Sequence, residues 1–208
     1  MAVLKEQGKS LQTFGKCRAR LFASEDRPLF IRTLAFLMLM VTFSTVRLYA
    51  QPQDQPTEVQ VKAAFLYNFA KFINWPDEVF SNEKAALVFG ILGEDPFGDT
   101  LAQMIKGKTV NGRPLEIKRF KRLEDVGGCH ILFISSSERK RLSLIRQALN
   151  GASVLTVGDW EQFALEGGMI SFTLEDNKVR FQVNPDFAER AGLKISSKLL
   201  TLAKIVKR

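Results

Sequence analysis

The apolar positions of this chain change period several times, and the changes mark out its elements. From Glu58 to Asn74, Val61, Phe65, Phe69 and Phe72 recur at spacings of 3 and 4, with Leu66 and Ile73 widening the stripe. That period predicts a helix. Trp75-Pro76 ends it, because a proline disfavours helical geometry in the residue before it. Ala85–Leu92 then reads as a buried strand. Asp95, with Pro96 behind it, is expected to cap a helix running to about Ile105. Leu115–Phe120 is a short alternating strand and Ile131–Ile134 a fully apolar one. Ser135 with Glu138 three residues on has the form of a capping box, predicting a helix to about Leu149. Ser153–Val157 is a further buried strand. Asp159 is expected to cap a helix to Leu165, which Gly167-Gly168 ends.

Strands alternating with helices, several of them apolar throughout, argue for a parallel sheet covered on both faces. The expected fold class is therefore α/β, a single three-layer domain with a mainly parallel sheet. Near its end the pattern shifts to period two. Met169–Leu174 and Val179–Val183 flank the turn Glu175-Asp-Asn-Lys178 and predict an antiparallel hairpin. Pairing Leu174 with Val179 sets Phe172 opposite Phe181 and Thr173 opposite Arg180. Ile170, Phe172, Leu174, Val179, Phe181 and Val183 then share one face, and Ser171, Thr173, Arg180 and Gln182 the other. Asn184-Pro185 opens a short helix ending at Ala191-Gly192-Leu193, and Ser196–Val206 is expected to close the chain as a helix.

The amino-terminal quarter has a different character. Arg18, Arg20, Arg27 and Arg32 precede the apolar run Leu34–Val46, and Ala50 stands before a polar stretch. Residues 1–50 read as a secretory signal with a long basic lead-in, cleaved after Ala50. The run is shorter than the roughly 20 residues of a spanning helix, although the bulky Leu48 leaves an uncleaved anchor as the alternative. Residues 51–57 read as a linker and residues 58–208 as the folded domain. This division alters the meaning of the net charge of +8. Residues 1–50 hold 8 Lys and Arg against 3 Asp and Glu, so most of the basic excess belongs to the leader and a nucleic-acid partner loses its support. The remaining 158 residues suffice for one core. They contain one cysteine, Cys129, so no intrachain disulfide is available to them. Its setting before Ile131–Ile134 favours packing as a small hydrophobe.

Catalytic patterns are missing. Cys129 and His130 are strand neighbours and point to opposite faces, so they do not form a dyad. One His and one Cys do not make a transition-metal site. Neither a phosphate-binding glycine loop nor a nucleophile elbow occurs. No catalytic residue, metal ligand or cofactor is assigned, and the expectation is a protein that is not an enzyme. Binding has better candidates. The loops Gly93-Glu94-Asp95, Ser135-Ser136-Ser137 and Gly158-Asp159 should converge at the carboxyl ends of the strands. Ser135 and Ser136 could there hold an anion, the plainer reading being a helix cap. Arg180, mid-strand on a polar face, is either solvated or a partner for an anion. Phe65, Phe69 and Phe72 form a broad stripe, read either as core or as a face for a partner or second subunit. The basic runs Lys118–Arg122 and Arg139–Arg141 read as solvated faces.

Lys62-Ala-Ala-Phe-Leu-Tyr-Asn-Phe-Ala-Lys71 followed by Trp75-Pro76 resembles the opening of YfiR-like proteins. So do Cys129–Ser135, Val154–Val157, Gly167–Ile170, Val179–Asn184 and Ala191–Leu200, in order across the whole chain after the leader. The resemblance implies a periplasmic, often dimeric α/β protein that binds and represses an inner-membrane diguanylate cyclase, limiting cyclic di-GMP and biofilm formation. It also implies a possible small-molecule ligand. The alternative is a periplasmic small-molecule binding protein that serves another sensor or a transporter. A disulfide-based redox switch known in the family does not carry over to a domain with one cysteine. The expected mechanism has two halves, a docking face at Phe65, Phe69 and Phe72 or on the closing helix, and a ligand at Arg180 or the strand-end crevice that alters docking.

Overall fold

The computed structural model describes residues 55–207. The leader expected over residues 1–50, and the first part of the linker, lie outside the described residues. Helix α1 (Glu58–Phe72) begins at Thr57, whose hydroxyl accepts from the Gln60 N–H while the Gln60 side chain accepts from the Thr57 N–H. This reciprocal capping box satisfies two of the helix's free donors. The helix ends three residues before Trp75, where β1 (Ile73–Asn74) pairs antiparallel with β9 (Lys194–Ile195).

The principal sheet has eight strands. Their spatial order is β10 (Lys204–Ile205), β8 (Lys178–Val183), β7 (Ile170–Glu175), β6 (Leu155–Gly158), β5 (Ile131–Ile134), β2 (Leu87–Leu92), β4 (Arg113–Phe120) and β3 (Thr109–Val110). Strands β4, β2, β5, β6 and β7 are mutually parallel. Taken in chain order these five lie second, first, third, fourth, fifth, so the winding reverses between β2 and β5. Central β2 is buried at all six positions, as a strand covered on both faces must be.

Each face has its own core. On the first, Phe89, Ile91, Phe133, Val157, Phe172 and Phe181 pack under α1, α2 (Asp99–Ile105) and α6 (Ser197–Leu200). On the second, Val88, Leu92, Leu132 and Ile134 pack under α3 (Leu142–Ala148) and α4 (Phe163–Glu166). The hairpin register is the one expected, with Leu174 opposite Val179, Phe172 opposite Phe181 and Thr173 opposite Arg180. Its turn is two residues, Asp176 and Asn177, both at positive φ as a type I′ turn requires.

Several elements differ from expectation. Asp95 does not cap α2. It accepts from the Phe97 N–H at 2.7 Å and pairs with Arg119 at 2.7 Å, so the helix starts at Asp99 behind Gly98. Ser135 accepts from the Ser137 N–H, and Glu138 pairs with Arg141, so a 3-10 turn (Ser136–Arg141) precedes α3 in place of one continuous helix. Asp159 makes no cap, and α4 starts at Phe163. The closing helix stops at Leu200. Beyond it β10 pairs parallel with β8, and the Val206 N–H donates to the Val183 carbonyl. An open strand edge offered those backbone groups partners that a frayed helix end lacked. Helix α5 (Pro185–Arg190) lies between the hairpin and β9. No helix among the described residues is long and apolar enough to cross a membrane.

Candidate functional site at the carboxyl ends of the parallel strands

A doubly wound sheet opens a crevice where its winding reverses, because the loops after the two adjacent strands leave in opposite directions. Here that point lies between β2 and β5. Gly93, directly after β2, has φ +88, and a Cβ on it would fall 2.5 Å from the Ser137 Oγ. Only glycine lets the two loops touch in this conformation. The Glu94 N–H donates to Ser137 Oγ at 3.2 Å, and the Ser135 N–H donates to the Leu92 carbonyl at 3.0 Å. Ser135 is buried and holds the junction, whereas Ser136 is exposed at its rim.

Asp159 follows β6 and turns toward Ser136. Its Oδ1 is buried without a hydrogen-bond partner among the described residues. Burial raises the pKa of this carboxyl, while the Lys62 charge and the N–H and hydroxyl of Ser136 pull it down without satisfying Oδ1. Lys62 comes from α1 and pairs with Glu58 one turn earlier at 2.6 Å. Its Nζ lies 5.9 Å from the centre of the Phe172 ring. The crevice thus brings together a half-buried carboxylate short of partners, an ammonium group and the exposed Ser136 of a serine turn. A half-buried ionisable group perturbed by desolvation, beside a topological switch point, marks a functional-site candidate. It suits hydrogen bonding of a polar group and lacks a paired nucleophile and base. Lys62 escaped the sequence reading as one charge on an amphipathic helix. Asp159 was expected to be a cap, although its place directly after an apolar parallel strand was the available signal.

The other expected site residues fall apart. Arg180 is exposed and faces away from α1, on the side of the sheet shared with Thr173 and Gln182. Strands β6 and β7 separate it from Ser135, so Arg180, Ser135 and Ser136 do not form one site. The rest of that hairpin face is not solvated. Ser171, Thr173, Gln182 and Asn184 are buried, each with a side-chain oxygen lacking a partner among the described residues. The Asn184 Nδ2 donates to the Ala164 carbonyl at 3.2 Å, so α4 covers this face.

Phe69 is completely buried and cannot present a docking surface. Its ring lies 5.8 Å from Phe172 and 5.2 Å from Phe181. Phe65 is half-buried against the same two rings, and Phe72 is half-buried at the helix end. The stripe is core first, because the hairpin beneath it offers aromatic partners.

Cys129 and His130 diverge. Cys129 packs in the second-face core, and burial pushes its thiol up to about 11. His130 faces the opposite way. Its Nδ1 accepts from the Val88 N–H at 3.1 Å, and its ring stacks on Phe80 at 4.4 Å. Burial lowers the pKa of His130, against a hydrogen bond to the Val79 backbone that raises it, so the ring is neutral and structural. The Arg113 guanidinium covers the other side of Phe80, 3.8 Å from its centre. The basic runs are dressed by local carboxylates, Arg119 by Asp95, Arg122 by Glu124, Arg139 by Glu166 and Arg141 by Glu138. Among the described residues no three His, Cys, Asp or Glu side chains gather to hold a metal ion.

Comparison with known families matches a family model from residue 59 to residue 204, from the first turn of α1 into β10. The matching model is described as YfiR/HmsC-like, and its span takes in both sheets, the crevice and the hairpin. By that match the chain belongs to the YfiR/HmsC-like family, a periplasmic family of regulators in cyclic di-GMP signalling.

Proposed function

We propose that this protein is exported and represses an inner-membrane diguanylate cyclase by binding the cyclase's periplasmic region, so lowering cellular cyclic di-GMP. The observation that carries this reading is the extent of the family match, from residue 59 to residue 204. The basic and apolar leader before Ala50 supports export. The chemistry of the crevice, with its underpartnered carboxylate and no nucleophile–base pair, is in keeping with recognition rather than turnover.

The direct test is affinity capture of the full chain from solubilised membranes. Recovery of a membrane protein carrying a cytoplasmic diguanylate cyclase domain supports the reading. Recovery of transporters or other sensors, with no cyclase, defeats it.

A further inference from the structure

A second concave site lies at the opposite end of the sheet from the crevice. It is a cleft of about 440 Å³ on the second face, between α3 and α5, beside the loops that lead into β6 and β7. That volume is within the usual range for small-ligand sites, roughly 300–1,000 Å³. Its floor is apolar, made by Ile134, Phe163 and Met169. Its rim carries Arg146 and Arg190. Their guanidinium carbons lie 5.6 and 5.3 Å from the centre of one ring, Phe187. No Asp or Glu lines the cleft, and neither arginine pairs with a carboxylate among the described residues.

This sets the two apart from the arginines of the basic runs, each of which has a local acidic partner. Two guanidinium groups held at one aromatic ring repel each other, and the ring quadrupole offsets only part of that repulsion. Arg146 is also held in place rather than loose. Gly167, at φ +115, passes so close that a Cβ there would fall 2.5 Å from the Arg146 Nε. One Arg146 amino group donates to the Glu166 carbonyl at 3.4 Å. Glu166 itself turns its carboxylate outward, to Arg139 and the Trp160 indole N–H. The cleft is therefore a cationic rim over an apolar floor, with its own acidic neighbour directed elsewhere.

We propose that this cleft binds a small organic carboxylate with an apolar body, the carboxylate between Arg146 and Arg190 and the body against Phe187 and the floor. Guanidinium groups match carboxylate geometry and give charge-assisted bonds about twice as strong as neutral ones. A bare inorganic anion would leave the floor uncovered, and a neutral apolar molecule would leave the rim unpaired. The site is independent of the crevice at Asp159 and of any membrane partner.

The test is isothermal titration of the full chain with benzoate, its neutral isostere benzamide, and inorganic phosphate. Benzoate should bind best of the three, and raising salt should weaken it. Arg190→Gln should lower benzoate affinity about tenfold and leave benzamide unchanged. Because Arg190 is exposed on the last turn of α5, that variant should keep the wild-type melting temperature. Arg146→Gln should act alike on benzoate, and Phe187→Ala should weaken benzoate and benzamide together. Equal affinity for benzoate and benzamide overturns the cationic half of the proposal, and phosphate binding as well as benzoate overturns the apolar half. No benzoate heat at millimolar concentration, or an Arg190→Gln protein that binds like wild type, overturns it entirely.

Discussion

Replacing Phe69 by alanine separates a core residue from a docking residue. The side chain is 0% exposed and touches three other rings, with centroids 6.1 Å away at Phe65, 5.8 Å at Phe172 and 5.2 Å at Phe181. Removing it forfeits a transfer term of about 1.5–3 kcal/mol. Lost aromatic contacts and the cavity between α1 and the hairpin add to this, and Phe-to-Ala changes in cores cost about 3–5 kcal/mol in total. Phe65→Ala, at a half-buried position on the same rings, should cost about 1–2 kcal/mol, because part of the side chain already meets water. Urea unfolding followed by far-ultraviolet circular dichroism measures both. With a slope near 2 kcal/mol/M, Phe69→Ala should lower the midpoint by about 1.5–2.5 M, with the slope unchanged. A Phe69→Ala protein that loses less than about 1 kcal/mol while failing to capture its membrane partner would refute the reasoning. It would mean that the ring serves recognition and that the packing beneath α1 is not what holds the helix.

Three further outcomes follow from the same structure. His130 is neutral and accepts from Val88, with a native pKa below the ordinary 6.5, so the unfolded chain binds more protons as the pH falls. Its contribution to stability is present above about 6.5 and lost as the pH drops through the native value, and His130→Gln should flatten that part of a stability-against-pH curve. Asp159 has the opposite sign. Its native pKa is raised above 3.8 by burial, so its contribution falls as the pH rises from 3.8 through the native value. Asp159→Asn should therefore melt higher than wild type at pH 7 and lose that advantage below pH 3.8, as a scanning calorimeter would show. Gly168→Ala would place a Cβ 2.1 Å from Phe163, which is fully buried and cannot retreat, so a loss of about 1–3 kcal/mol in urea unfolding is expected.

The sheet was legible in the sequence wherever strands were apolar on both faces, because continuous runs such as Ile131–Ile134 have few other uses. The hairpin was legible to the residue, since a one-place slip would have turned Phe172 and Phe181 out of the core. Helix starts were less so. Asp95, Ser135 and Asp159 are all good cap residues, but Arg119 took Asp95, and Ser135 caps only the 3-10 turn that precedes α3. Asp159 was left beside Lys62. Local propensity lost to contacts made by residues more than twenty positions away. The Asn111-Gly112 turn that joins β3 to β4 was a local signal that went unread. The final helix failed for a different reason, because the open edge of β8 is a property of the assembled sheet.

Site chemistry was harder to foresee than fold. Arg180 and Ser135 stand out in the sequence as polar residues beside apolar runs, yet the sheet order places them far apart. Arg146 and Arg190 meet at Phe187 only in the assembled fold, and no spacing along the chain announces it.

The account's central claim is tested most directly by cellular cyclic di-GMP in a strain deleted for this gene, complemented with the full chain or with residues 51–208 lacking the leader. The account predicts that deletion raises cyclic di-GMP and that only the chain with its leader restores the original level. An unchanged level on deletion, or equal restoration by the chain without its leader, would contradict repression from the periplasm.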